Sequence, residues 1–194
     1  MKCNQANLKV PTDFTTITNA AEFEKVALET FYFQYEQVPV YRRFCELLQV
    51  ELTQVKKIED IPFLPIQFFK TEKVLVTGMP VEKTFNSSGT TGTSTSKHHI
   101  SDLSLYEKSF LKGFQNKYGA LSSYAILALL PSYLEQGNSS LVYMVDSLIE
   151  KTNNDHSDFY LNDLNALITK INFLERMQQK TILLGVSYAL LDLI

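Results

Sequence analysis

A chain of 194 residues that is 45% hydrophobic and 20% charged has ordinary globular composition, and its length suits one domain or one and a fraction. A net charge of -3 and a pI near 5.6 leave no basic field of the kind that binds nucleic acid. No stretch approaches the roughly 20 apolar residues of a membrane span, and the start MKCNQANLKVPTDF lacks the apolar run of a signal peptide. The two cysteines, Cys3 and Cys45, argue against a disulfide framework and for a reducing, cytoplasmic setting.

Residues 1–18 are polar and read as an N-terminal arm. Asn19-Ala-Ala-Glu22 is a helix-start pattern, with Asn19 as the cap and Glu22 three residues on. Phe23, Val26, Ala27, Thr30 and Phe31 then recur at helical spacing to about Gln37. Pro39 interrupts the run, and Tyr41, Phe44, Cys45 and Leu48 predict a second short amphipathic helix. Residues 58–70, IEDIPFLPIQFFK, form an apolar, non-periodic connector that is expected to be buried because of its aromatic content. Residues 19–70 are therefore a helical segment closed by an aromatic connector.

From residue 71 the character changes. Lys73 to Thr77, the turn Gly78-Met79-Pro80, and Val81 to Phe85 predict a short hairpin. A loop follows, Ser87-Ser88-Gly89-Thr90-Thr91-Gly92-Thr93-Ser94-Thr95-Ser96-Lys97, and His98-His99-Ile100 returns to extended chain. A helix is expected from Ser101 or Ser104 to Tyr118, stopped by Gly119. Tyr124 to Leu130 is a continuous apolar run, typical of a strand buried on both faces. Helices over about 140–151 and 162–178 alternate with strands over 158–161 and 181–186, and Ser187 opens a last helix. Strand, helix, strand, helix, strand is the signature of a parallel sheet with crossover helices. The fold class is thus α/β: N-terminal helices, then a mixed, mostly parallel sheet over residues 71–194. Ligands of such sheets sit beyond the carboxyl ends of the strands, here 131–134 and 185–188. The chain closes on Leu191-Asp192-Leu193-Ile194, an apolar helical pattern that predicts an N-terminal part of a longer protein.

The loop over 87–97 is the strongest functional candidate. It offers hydroxyls, unhindered backbone N–H groups and one cation, with no carboxylate, which is the donor set that wraps a phosphate chain. Gly89 and Gly92 let backbone approach a ligand closely. It is not a Walker A motif, because no Gly-Lys-Ser/Thr follows at the required spacing. The alternative, a flexible Ser/Thr/Gly linker, fits poorly with a position between two extended segments.

Other groups carry weaker signals. His98 and His99 would point to opposite faces of a strand, so they do not suit one metal ion. Gly185-Val-Ser187-Tyr-Ala189 is like a nucleophile elbow with its second Gly replaced by Ala, and only Asp192 and the earlier His156 remain as triad partners. Gly137-Asn138-Ser139-Ser140 is a polar helix start that caps or holds an anion. Glu135 and Asp146 are expected on the solvated surface.

Taken together, Ile61-Pro-Phe-Leu-Pro-Ile-Gln-Phe-Phe-Lys70, Phe85-Asn-Ser-Ser-Gly-Thr-Thr-Gly92, Leu130-Pro-Ser-Tyr-Leu134, Ser139-Ser-Leu-Val-Tyr-Met144 and Leu184-Gly-Val-Ser-Tyr-Ala-Leu190 resemble the acyl-protein synthetase (LuxE-like) family of bacterial bioluminescence, a branch of the adenylate-forming enzymes. The resemblance covers about residues 20–194. It implies the N-terminal, incomplete domain of an adenylate-forming enzyme. The implied activity is ATP-dependent conversion of a fatty acid, or another carboxylic acid, to an acyl-adenylate, followed by transfer to a thiol and onward to an acyl-accepting protein such as a reductase. ATP and Mg²⁺ are the implied cofactors. The family's phosphate loop falls on Ser87, Ser88, Gly89, Thr90, Thr91 and Gly92, with a looser match over Thr93 to Lys97. No catalytic residue is assigned and no protein-bound metal is expected. An apolar cavity near the aromatic connector is where the acyl chain would go. The family's acyl-accepting cysteine has no counterpart here, since neither Cys3 nor Cys45 stands in a matching position. A non-catalytic nucleotide- or partner-binding module and, further off, a serine acyltransferase or hydrolase are the alternatives.

Overall fold

The computed structural model describes residues 13–87, 95–130, 137–161, 163–191 and 193. The chain divides into two compact units, residues 1–103 and 104–194.

The first unit is built on two helices. Asn19 caps α1 (Ala20–Gln37), its side-chain oxygen accepting from the Glu22 N–H at 3.0 Å. The Glu22 carboxylate accepts from the N–H and hydroxyl of Thr18, at 2.8 and 2.9 Å. These bonds to Thr18 hold the Glu22 pKa below its usual value. Val38 ends α1 and opens α2 (Pro39–Leu47), with Pro39 at the first helical position, where its missing N–H is no loss. Phe31, Val38, Tyr41, Cys45, Val55 and Ile61 form the buried core of this unit. The Tyr41 hydroxyl donates to the Pro62 carbonyl at 2.9 Å and so fastens the connector to α2.

Two sequence expectations need correction here. The connector is only half buried: Ile61 is in the core, while Phe63 and Ile66 are each 71% exposed, and its end coils into a one-turn helix, α3 (Phe68–Thr71). Residues 73–85 do not form a hairpin. Val74 and Val76 pack against the helical core, and the N–H and hydroxyl of Thr77 donate to the Gln37 carbonyl at the end of α1, at 2.8 and 3.0 Å. Those long-range bonds take the donor a hairpin partner would need. β1 (Lys83–Asn86) instead pairs antiparallel with β2 (Lys97–Ile100), across the Ser/Thr/Gly loop, in the register Lys83↔Ile100 to Asn86↔Lys97.

The second unit holds the parallel sheet. It contains α4 (Leu103–Tyr118) from Ser104 onward, β3 (Ala125–Leu129), α5 (Ser140–Thr152), β4 (Asp158–Phe159), α6 (Leu164–Arg176), β5 (Thr181–Gly185) and α7 (Ser187–Leu191). The strand order is β4-β3-β5, and β3 is parallel to both neighbours. Every residue of β3 is buried, as a central strand covered on both faces requires. Ala125, Leu127 and Leu129 face Leu167 and Leu174 of α6 and Ala189 of α7. Ile126 packs with Phe110 of α4 and Leu148 of α5, and Ala128 and Leu130 pack with Val145 of α5. The two-residue periodicity of the strand thus sorts the helices onto opposite faces, as two crossovers of one hand demand when the second runs back across the sheet past β3. The expected α/β class, with N-terminal helices and a parallel sheet, is what the chain forms. The cap of α6 is Asp163, whose carboxylate accepts from the Ala166 N–H at 2.8 Å, one residue later than the start expected at 162.

One polar cluster anchors the sheet. Thr152 is 2% exposed; its hydroxyl donates to the Ile149 carbonyl at 2.7 Å and lies 3.0 Å from the Ser157 hydroxyl. Ser157 accepts from the Ile126 N–H at 3.0 Å. Each buried hydroxyl is therefore satisfied, and the turn before β4 is tied to β3.

Candidate functional site

The hairpin β1–β2 presents the loop singled out in the sequence. Ser88, Gly89, Thr90, Thr91, Gly92 and Thr93 lie outside the described residues, and Ser87 and Lys97 stand at its two feet. The strand register continues one step past Asn86 and Lys97. The Ser87 N–H donates to the Ser96 carbonyl at 3.0 Å, and the Ser96 N–H donates to the Ser87 hydroxyl oxygen, also at 3.0 Å. Phe85, 5% exposed, sets the inner face of the hairpin. Lys97 is exposed. A closed neck that carries hydroxyls and one cation suits an anion.

The two histidines of β2 diverge. His98 meets Phe69 of α3 edge-on, with ring centroids 5.4 Å apart, and crowding by its surroundings, then its neighbour His99, hold its pKa below the usual value. His99 turns to the neighbouring strand, its Nδ1 2.9 Å from the Thr84 hydroxyl. Among the described residues no three His, Cys, Asp or Glu side chains gather as metal ligands.

In the second unit, the carboxyl edge of the sheet contains Tyr160 after β4 and Val186-Ser187 after β5; residues 131–136 after β3 lie outside the described residues. Ser187 is exposed at the first position of α7. Gly185 is closely packed: a Cβ there would sit 3.1 Å from Leu129 Cβ and 3.1 Å from Leu190. His156 lies before β4, its ring edge-on to Phe173 at 5.3 Å. Because Leu127 pairs with Asp158 and Leu129 with Gly185 in one parallel sheet, His156 and Ser187 belong to opposite edges. Six residues of strand rise separate their levels, about 20 Å. That spacing excludes a Ser187–His156 dyad, and the serine instead opens a helix beside a close-packed glycine.

The profile of the acyl-protein synthetase, LuxE family matches residues 10–177, which takes in α1 to α3, the whole hairpin, and β3 and β4 of the parallel sheet. The chain belongs to that family. It is 36% identical over 78 residues to a long-chain-fatty-acid–luciferin-component ligase of Aliivibrio fischeri. That match covers 40% of this chain and spans 20% of the length of the ligase. No solved structure matches the chain. The 184–190 segment, which resembled the family in sequence, falls beyond the matched residues.

The chemistry of Cys45 is restricted by packing. Cys45 is fully buried in the helical core, and burial pushes its thiol pKa up. A buried neutral thiol is a poor nucleophile, so Cys45 is not an acyl acceptor. Asp146, expected on the solvated surface, is half-buried on α5, where burial and then Glu150 raise its pKa; Glu135 lies outside the described residues. Ser139 caps α5, accepting from the Val142 N–H at 3.3 Å, which is the capping reading of the 137–140 cluster. No helix among the described residues is long and apolar enough to cross a membrane.

The apolar cavity expected near the aromatic connector is present in the first unit, and a second cavity there was not foreseen. One, of about 340 Å³, is lined by Phe14, Phe23, Val26, Phe31 and Phe63 among others. The other, of about 330 Å³, is walled by Phe69, Val74, Val76, His98 and His99. The aromatic density of 58–70 was the available signal for the first; nothing local in the sequence brings 74–76 to the histidines.

Proposed function

We propose that this protein takes part in ATP-dependent activation of a fatty acid, as an acid–thiol ligase of the acyl-protein synthetase type. The observation that carries this reading is the family match over residues 10–177, which encloses a hydroxyl-rich loop on a closed hairpin neck. The name of the Aliivibrio relative, a long-chain-fatty-acid–luciferin-component ligase, supports a fatty acid as substrate. In this reading a carboxylate oxygen attacks the α-phosphorus of ATP, the bond to the bridging oxygen breaks, and pyrophosphate departs to leave an acyl-adenylate. A thiolate then attacks the acyl carbon and AMP leaves. The acceptor is a thiol other than Cys45, on a protein such as a reductase.

The loop's part is positioning and charge stabilisation. Ser87, Ser88, Gly89, Thr90, Thr91, Gly92 and Thr93 supply backbone N–H groups and hydroxyls to the β- and γ-phosphates, and Lys97 adds a point charge. Ser87 to Thr93 and Lys97 would hold the nucleotide together with its Mg²⁺, and the cation would supply neutralisation of the phosphate charge.

The test is fatty-acid-dependent exchange of labelled pyrophosphate into ATP. The protein is expected to exchange, and Thr90→Ala combined with Thr91→Ala is expected to abolish exchange while leaving the far-UV circular dichroism unchanged. Normal exchange in the double variant would remove the loop from the mechanism. ATP binding by the unmodified protein with no exchange at all would favour a non-catalytic nucleotide-binding module.

A further inference from the structure

Two cavities of the first unit adjoin, since Gln34, Tyr41 and Leu64 line both. They differ in chemistry. The first is walled almost wholly by hydrocarbon from α1 and the connector, with Phe23 and Phe63 still 53% and 71% exposed at its rim. The second has an aliphatic wall, Val74 and Val76, opposite His98, His99 and Ser101 at the foot of the hairpin. We propose that together they form one binding channel for a long-chain carboxylic acid, with its carboxylate at His98 and Ser101 and its alkyl tail running past Leu64 into the phenylalanine-lined cavity. The proposal rests on the fatty-acid reading above and gives that substrate a place.

The walls select an alkyl chain over a peptide. At the junction the Tyr41 hydroxyl is already donated to Pro62, and in the first cavity the Thr30 hydroxyl is donated to Val26 at 2.8 Å. A peptide threaded there would surrender its water partners and find few replacements, whereas a hydrocarbon has none to lose. Entry of the tail would also cover the exposed rings of Phe23 and Phe63, large apolar surfaces otherwise left in water. Each cavity lies at the small end of ordinary ligand sites, roughly 300–1,000 Å³, so a chain of biological length needs both. At the polar end, His99 spends Nδ1 on Thr84 and keeps Nε2 for the ligand, beside His98 in the same wall.

Calorimetric titration of the full chain with tetradecanoic and octanoic acids, without nucleotide, tests the channel. Filling the inner cavity with Ala27→Phe, or with Thr30→Leu as a second variant that keeps the helix, is expected to weaken tetradecanoic acid about tenfold or more and octanoic acid by less than about twofold. His98→Ala is expected to weaken both acids and leave binding of the methyl ester of tetradecanoic acid unchanged. Absence of tetradecanoic acid binding to the unmodified protein, or unchanged affinity in either filled variant that retains its melting temperature, would overturn the channel. The fate of the ligase reading is separable. Exchange activity with an unaltered chain-length preference in the filled variants sinks the channel alone. Binding that follows the expected pattern, without exchange, upholds the channel and sinks the ligase reading.

Discussion

Ser87 and Ser96 bond to each other twice at the neck of the hairpin, once main chain to main chain and once main chain to side chain, both at 3.0 Å. The second bond matters because the Ser96 N–H, at the last step before the loop, is answered by a hydroxyl rather than by a strand carbonyl. Ser87→Ala removes that acceptor and is expected to lower stability by about 1 kcal/mol, read as a lower urea midpoint, and to raise the KM for ATP in pyrophosphate exchange. Ser87→Thr keeps the oxygen and is expected to stay close to the unmodified protein in both. An unchanged urea midpoint in Ser87→Ala would show that the side-chain bond does not hold the neck.

Cys45 should be chemically silent while the protein is folded. Its thiol is enclosed and its pKa raised by burial. In a Cys3→Ser protein, Ellman's reagent at pH 8 is expected to release colour only when denaturant is added. Stoichiometric release from the native protein would mean that the helical core opens around α2.

Alkaline pH should weaken the first unit in particular. Tyr41 and Cys45 are both acids whose folded pKa values are raised, each mainly by burial. The native state therefore holds protons that the unfolded chain releases, so their contribution is complete below the ordinary thiol range and is lost as pH rises past it. The loss begins near pH 8.5 and deepens through the ordinary phenol range near 10. The urea midpoint is expected to be level from pH 7 to 8 and to fall from 8.5 to 11. A Tyr41→Phe, Cys45→Ala protein starts lower at pH 7, having lost the bond to Pro62, and falls less steeply. Parallel slopes would assign the alkaline loss to other groups.

Gly185→Ala is expected to destabilise the sheet by about 1–3 kcal/mol, the range for overpacking a filled site. The new methyl would meet Leu129 Cβ, an atom fixed to the central strand, and only Leu190 could turn aside. Thermal denaturation measures the effect, and a melting temperature equal to that of the unmodified protein would show that α7 shifts freely on the sheet.

Asp146→Asn is expected to raise stability at neutral pH. The raised pKa means that the folded state resists the carboxylate form, so the charge opposes folding above the ordinary Asp range and is neutral below it. The gain in urea midpoint at pH 7 should vanish near pH 3.5. A gain that persists at the acid end would point to packing rather than charge.

The amino-acid sequence by itself determined the elements whose causes are local. The Asn19–Glu22 helix start, the break at Val38-Pro39, and the apolar run of β3 between two crossover helices are each written in a few adjacent residues, and each forms where the pattern puts it. The loop composition over 87–97 and its ordered neighbours were likewise enough to point to the LuxE family, which the match over residues 10–177 shows. Only the tertiary structure decided the partner of β1. Local alternation favoured a turn at Gly78, but Thr77 bonds to Gln37 forty residues away and Val74 and Val76 drop into the helical core, so the strand pairs across the loop instead. The same long-range packing brings His98 and His99 to the valine wall, and parallel register sends His156 and Ser187 to opposite edges of the sheet. A helix cap or a buried strand is fixed by contacts within a few residues. A cavity or a strand pairing is fixed by which distant surfaces bury each other, and no short stretch of sequence carries that choice.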